Sequence, residues 1–259
     1  MSIWLRRIGA SRDRDAVRLV CFPHAGGAAS FFSGWDARLP GVEVHAVRYP
    51  GRAERIGEPC ATDLRALAGN IARAIAGARW PGPVALFGHS LGAMVALETA
   101  RALDALDQPV AHLFASGSRD APLPDASEQG GDDDGDEAAA IALLELGGTS
   151  PELTRDPEFL ELVLPYVQAD TLLFHGYQHR AHPALSCPVS TITGDADAHA
   201  DRRPWRELTR SLTEYVVPGH HFYLLARPPA GLVAATLNGL AGRDAATGHR
   251  APLSGTASS

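Results

Sequence analysis

The stretch Val84-Ala-Leu-Phe-Gly-His-Ser-Leu-Gly92 constrains this chain more than any other. An apolar run meets a Gly-x-Ser-x-Gly pentapeptide, and residues 93–103 follow with strong helix formers and no breaker. That order predicts a strand, a sharp elbow and a helix. The helix of such an elbow passes close behind the strand, so side chains at positions 88 and 92 would collide with neighbouring elements, and glycine removes them. Ser90 would stand above the sheet edge near the positive end of the helix, with the Leu91 amide beside it able to donate to an oxyanion. The competing reading, a glycine-bounded loop in which Ser90 merely caps a helix, does not account for the apolar run on one side and the helical run on the other.

Elements on both sides repeat the strand–helix alternation. Residues 18–22 read as a strand stopped by Pro23-His-Ala-Gly-Gly27, a loop able to place a free amide near the elbow. Residues 31–39 suggest a first helix, 42–47 a strand, and Tyr49-Pro-Gly-Arg52 a turn. From Thr62, placed to cap, Leu64, Leu67, Ala68, Ile71 and Ile75 form one helical stripe ending near Gly77. A strand at 110–115 follows the elbow helix. The alternation implies a mostly parallel sheet with helices on both faces, an α/β fold.

It lapses over residues 120–186. A helix at 137–146 and another beginning at Asp156-Pro157 have no strand between them, so this insertion is expected to cover the site as a helical lid. Strands at 188–193 and 214–217, with helices near 205–212 and 228–240, then resume the alternation. With 259 residues and 45% hydrophobic content, one large core is expected, giving a single domain over 1–241 and a frayed, disordered tail over 242–259.

Charge narrows the function. Seven of the 30 acidic residues lie in 125–137 with no Lys or Arg among them, leaving the rest of the chain balanced at 23 against 23. The acidity therefore belongs to one solvated loop, without the ligand spacing of a calcium site, and the balance elsewhere argues against a nucleic-acid partner. His175, His179 and His182 have a spacing open to a metal, but Pro183 and the lack of a carboxylate or cysteine argue against one. Cys21, Cys60 and Cys187 are too few and too scattered for a disulfide framework. No run is long enough to span a bilayer, and the N-terminus lacks the apolar core of a signal peptide, so a soluble, cytoplasmic protein is expected.

A nucleophilic serine needs a base and an orienting acid. In a sheet of this kind the acid follows a late strand and the histidine the last one. Thr193-Gly-Asp-Ala-Asp-Ala-His199 offers Asp195 and Asp197, and Val217-Pro-Gly-His-His-Phe-Tyr223 offers His220 and His221. Spacing alone leaves both choices open.

The elbow Gly-His-Ser-Leu-Gly-Ala, with Phe-Pro-His-Ala-Gly-Gly, Tyr-Pro-Gly-Arg, Leu-Gly-Gly-Thr-Ser-Pro-Glu-Leu and Gly-His-His-Phe-Tyr-Leu, resembles the type II thioesterases, stand-alone α/β-hydrolases of polyketide and nonribosomal peptide assembly lines. The resemblance runs from about Arg18 to about Leu240 in the family's motif order. It implies an α/β-hydrolase fold with Ser90 as nucleophile, Asp197 as acid, His221 as base, and the amides of Ala25 and Leu91 as the oxyanion hole. Members often have Pro after the acid, where Ala198 stands here. The implied substrates are acyl groups on the phosphopantetheine arm of acyl- or peptidyl-carrier proteins, removed in an editing role without cofactor or metal. A small-molecule esterase or lipase using the same triad, and a hydrolase-fold binding protein without catalysis, are the alternatives. Arg48, Arg52 and Arg55 could rim a phosphate site or serve only as surface charge.

Overall fold

A computed structural model describes residues 2–9, 16–123, 140, 141, 144, 147–178 and 184–247, the last seven by backbone alone. The acidic segment 125–137, along with His179 and His182, lies outside them.

In chain order the strands of the main sheet are β1 (Leu5–Ile8), β2 (Val17–Phe22), β3 (Val42–Val47), β4 (Val84–His89), β5 (His112–Ser116), β7 (Val189–Gly194) and β9 (Leu212–Val217). They lie side by side as β1-β3-β2-β4-β5-β7-β9. Every pairing is parallel except β1 with β3, where Leu5 faces Val47 and Ile8 faces Val44. Two short strands, β6 (Ser118–Asp120) and β8 (Asp201–Arg203), pair separately. The sequence pattern predicts neither these nor β1. Three or four residues carry too little periodicity to register.

Both faces of the sheet are covered. Val20, Phe22, Leu86 and Leu113 point into one core with α2 (Leu64–Gly77) and α3 (Leu91–Asp104). Their strand neighbours Leu19, Cys21, Ala85 and Phe114 point into the other, with Phe32, Trp35 of α1 (Trp35–Arg38) and Val233 and Leu237 of the final helix. Burial on both faces is why β2, β4 and β5 read as continuous apolar runs.

Several boundaries differ from expectation. The proposed helix at 31–39 is a 3-10 turn, Ala29–Phe32, and the short α1, separated by Gly34 in the left-handed region. Asp63, not Thr62, caps α2, its carboxylate accepting from Arg65 N–H and Ala66 N–H at 2.8 and 3.0 Å. In the insertion Asp156 caps α4 (Pro157–His175), as the Asp-Pro signal predicts, but the helix continues through Pro165 for ten more residues. The missing hydrogen bond and ring clash of an interior proline cost about 3 kcal/mol. Burial of Val163, Val167 and Leu173 on α4 offsets that cost. The helix near 205–212 is only α5 (Trp205–Leu208), because β9 already begins at Leu212. After α6 (Tyr223–Ala226), α7 (Ala230–Thr247) runs past Gly242 into the stretch expected to be frayed. The Arg243-Asp-Ala-Ala sequence beyond that glycine favours a helix enough to continue it. No helix among the described residues is long and apolar enough to cross a membrane.

Candidate active site

The C-terminal ends of β2, β4, β7 and β9 converge on one edge of the sheet, where ligands of open parallel sheets bind. Ser90 joins β4 to α3 with φ 55° and ψ −123°, a strained conformation for a non-glycine residue. The flanking glycines explain how the elbow closes. A Cβ on Gly88 would lie 2.2 Å from Gly92 O, and one on Gly92 would lie 2.2 Å from Phe22 O. Ser90 N–H donates to Ser116 O at 2.9 Å, which fixes the elbow to β5.

The two candidates in each pair have different surroundings. His221 Nδ1 lies 2.9 and 3.0 Å from the two oxygens of Asp197, whose side chain is wholly buried. A carboxylate only accepts, so Nδ1 carries the proton and Nε2 is left with a lone pair. Asp197 Oδ1 also accepts from His199 N–H at 2.9 Å. Asp195 is exposed and accepts instead from Gly219 N–H at 2.8 Å, tying the acid loop to the histidine loop. Ala196 N–H donates to Gly219 O at 3.0 Å, adding a second tie. His220 is exposed and 3.3 Å from Ala196 O. Asp195 and His220 thus brace the loops that hold Asp197 and His221.

No hydrogen bond joins Ser90 Oγ to His221 Nε2 among the described residues; such bonds commonly tighten only around substrate. His221 nevertheless packs beside the residue before the serine, its ring centroid 4.9 Å from that of His89. His89 is fully buried and is held neutral, its pKa driven well down by burial and then by the neighbouring His221 and His24. His89 Nδ1 pairs with Ser116 Oγ at 2.9 Å, and Ser116 Oγ with Tyr223 OH at 2.6 Å. This polar strut beneath the site was not found in the sequence, because nothing in the spacing of 89, 116 and 223 brings them together.

The Pro23-His-Ala-Gly-Gly27 loop lies at the end of β2. His24 Nδ1 donates to Ala25 O at 2.8 Å, and burial first of all pushes the His24 pKa down to about 4. Gly26 N–H donates to Asp170 Oδ2 at 2.8 Å, and Gly27 N–H to His24 O at 2.9 Å. Among the described residues Ala25 N–H has no acceptor, so it is a donor available to a ligand. Leu91 N–H, at the first position of α3, is a second donor without a helical partner. A cavity of about 250 Å³, lined in part by His24, Ala25, Phe31, Leu144 and Thr149, borders this loop.

The arginines expected as a possible rim are engaged elsewhere. Arg52 is buried against Asp170, Arg55 pairs with Glu58 and lies over Trp4, and Arg48 donates to Ser2 O. His175 ends α4, and no cluster of metal-binding side chains occurs among the described residues. Cys21, Cys60 and Cys187 are all unpaired thiols.

Residues 17–238 match the thioesterase domain family. The chain is 40% identical over 232 residues to "Thioesterase PikA5" of Streptomyces venezuelae, covering 86% of this chain and 80% of that protein. It superposes on the type II thioesterase BorB from the borrelidin biosynthetic cluster with a TM-score of 0.76 and 33% identity, covering 91% of this chain and 98% of the other. YbtT, a type II thioesterase from the yersiniabactin NRPS/PKS biosynthetic pathway, superposes with a TM-score of 0.75 and 26% identity over 92% of this chain and 99% of its own.

Proposed function

Because this chain belongs to the thioesterase family, we propose that it is a stand-alone serine thioesterase that removes acyl groups from the phosphopantetheine arm of acyl- or peptidyl-carrier proteins in the cytoplasm. The observation that carries the mechanism is the buried Asp197 carboxylate on His221 Nδ1, beside a serine held in a strained elbow.

In this reading Asp197 fixes the tautomer and orientation of His221, so that Nε2 removes the proton of Ser90 Oγ as the oxygen attacks the thioester carbonyl. The Ala25 and Leu91 amides receive the charge that develops on the carbonyl oxygen. Collapse of the tetrahedral intermediate breaks the carbon–sulfur bond. The leaving thiol has an ordinary pKa of about 8.5, so it departs readily, and the protonated His221 hands its proton to the sulfur and returns to the neutral form. Water then attacks the acyl-serine with His221 again as base, releasing the acid and restoring Ser90.

Carrier proteins enter the proposal through the relatives. One is named for the borrelidin cluster and another for the yersiniabactin pathway, both type II thioesterases. An editing role, freeing arms that carry a wrong or stalled acyl group, follows from that likeness.

The test compares hydrolysis of an acyl-carrier protein with hydrolysis of a free oxyester bearing the same acyl group. The carrier substrate should be turned over faster per mole of enzyme, and Ser90→Ala should lose activity on both while keeping its far-UV spectrum. Preference for the free ester would indicate an esterase instead. A Ser90→Ala variant with most of its activity would overturn the serine mechanism.

A further inference from the structure

The insertion between β6 and β7 reaches the proposed oxyanion loop through one buried ion pair. Arg52 Nη2 donates to Asp170 Oδ1 at 2.6 Å and Arg52 Nη1 to Asp170 Oδ2 at 2.5 Å, a two-point contact between side chains only 4% and 6% exposed. The pair joins the Tyr49-Pro-Gly-Arg52 turn to α4 across 118 positions of sequence. Tyr49 and Tyr166 place their rings 5.2 and 5.0 Å from the guanidinium. Tyr49 OH in turn donates to Pro23 O at 3.2 Å.

Asp170 does more than neutralise Arg52, because the same Oδ2 accepts Gly26 N–H at 2.8 Å. Arg52 Nη1 also lies 3.3 Å from Gly27 O. The peptide between Ala25 and Gly26 is therefore held at both ends: its carbonyl by His24 Nδ1 and its N–H by Asp170. Packing supports the same contact. Gly26 has φ +75°, and a Cβ there would meet Val167 Cγ2 of α4 at 3.0 Å. Ala25 N–H, which has no acceptor among the described residues, belongs to the preceding His24–Ala25 peptide; the carbonyl of that peptide accepts Gly27 N–H at 2.9 Å, so the donor stands one Cα away from the peptide that Asp170 clamps.

We propose that Arg52 and Asp170 are positioning residues that make the oxyanion hole conditional on the seating of α4. With α4 seated, Asp170 orders the Ala25–Gly26 peptide and so holds the adjoining Ala25 N–H beside the Leu91 donor, which the elbow itself places. With α4 displaced, Gly26 loses its acceptor and Ala25 N–H is no longer held in place. Substrate that settles the insertion thereby completes the catalytic site, which couples access to chemistry. The proposal rests on the reading of Ala25 N–H as an oxyanion donor.

Replacing one partner alone by an apolar residue would bury an unpaired charge, so the test replaces both, as R52M/D170L. Two pantetheine probes accompany the thioester substrate: a trifluoromethyl ketone, whose carbonyl oxygen becomes an oxyanion when Ser90 Oγ adds to its carbon, and the corresponding thioether, which lacks the carbonyl. The double variant should lose at least tenfold in kcat with KM within about threefold of wild type. Its affinity for the ketone should fall by the same factor as kcat/KM, while thioether affinity stays level. Asp170→Asn keeps one oxygen for Gly26 N–H and should recover part of kcat. A folded double variant with kcat within twofold of wild type would overturn the proposal, as would equal losses on ketone and thioether. Should the double variant not fold, peptide-resolved hydrogen exchange on the wild type decides. Ketone should raise protection of Gly26 and of residues 167–170 together, and more than thioether does; an unchanged α4 would overturn the coupling. The wild-type burst of thiol checks the underlying reading separately. No acyl-enzyme there would defeat the serine mechanism, whereas an intact burst with unaffected variants would defeat only the bridge.

Discussion

Asp195 and Asp197 differ by two positions and have opposite surroundings. Asp197 is stripped of solvent and bonded to His221, whereas Asp195 stands in water and holds a backbone amide. Asp197→Asn removes the negative charge and sets an amide NH2 donor against the Nδ1–H of His221, so kcat should fall about 10³- to 10⁴-fold. Asp195→Asn retains an oxygen for Gly219 N–H and should stay within about threefold. The same contrast ranks the histidines: His221→Ala should cost orders of magnitude and His220→Ala far less. Steady-state kinetics on a soluble acyl thioester checks both pairs, and a reversed order in either would move that role to the neighbour. Before folding, each pair is two like residues in one loop. Only the direction taken by the loop backbone separates them.

The elbow is the element whose steric logic is most complete. At Gly92 the space a Cβ would need is occupied by Phe22 O and Pro23 O, backbone atoms that cannot rotate away. Gly92→Ala must therefore push α3 off β2, and should destabilise the protein by about 3 kcal/mol or more in urea unfolding. A loss below about 0.5 kcal/mol would show that the two elements are not in contact. At α4 the reasoning is gentler. Asp156 Oδ1 accepts Glu158 N–H at 3.0 Å, and Asp156→Ala should cost about 1 kcal/mol by the same measurement. Cap and periodicity made α2 and the start of α4 readable in sequence. The end of α4 was not, since its passage through Pro165 depends on partners far along the chain.

Across the whole molecule, burial of neutral imidazoles sets the response to acid. Burial pushes His112 down to about 4, as it does His24, and holds His89 well below its ordinary value. The unfolded chain takes up these protons near pH 6.5 and the folded one does not, so it binds more protons between about pH 6.5 and 4. Stability is therefore lost as pH falls through that window, on the order of 3 kcal/mol per histidine at full extent for His24 and His112. Asp201, whose pKa is raised chiefly by burial, opposes this trend at the acid end. Calorimetry from pH 7 to 4 should show a falling Tm with proton uptake on unfolding. His112→Gln, which can still donate to Ser190 Oγ, should remove about one proton of that uptake near pH 5. An unchanged uptake would mean that His112 titrates normally in the fold.

By itself the sequence determined the parallel sheet, the elbow at Ser90 and the loops in which an acid and a base had to be found. Those features are written in local periodicity, in glycines whose missing side chains leave room for close approach, and in the order of strands along the chain. The tertiary structure alone decided that Asp197 and not Asp195 meets His221, that His89, Ser116 and Tyr223 form a strut, and that Arg52 is spent on Asp170 rather than offered to a phosphate. Each of these is a contact between residues brought together by the crossing of distant elements, and a buried charge finds its partner through the shape of the core, which no local pattern encodes.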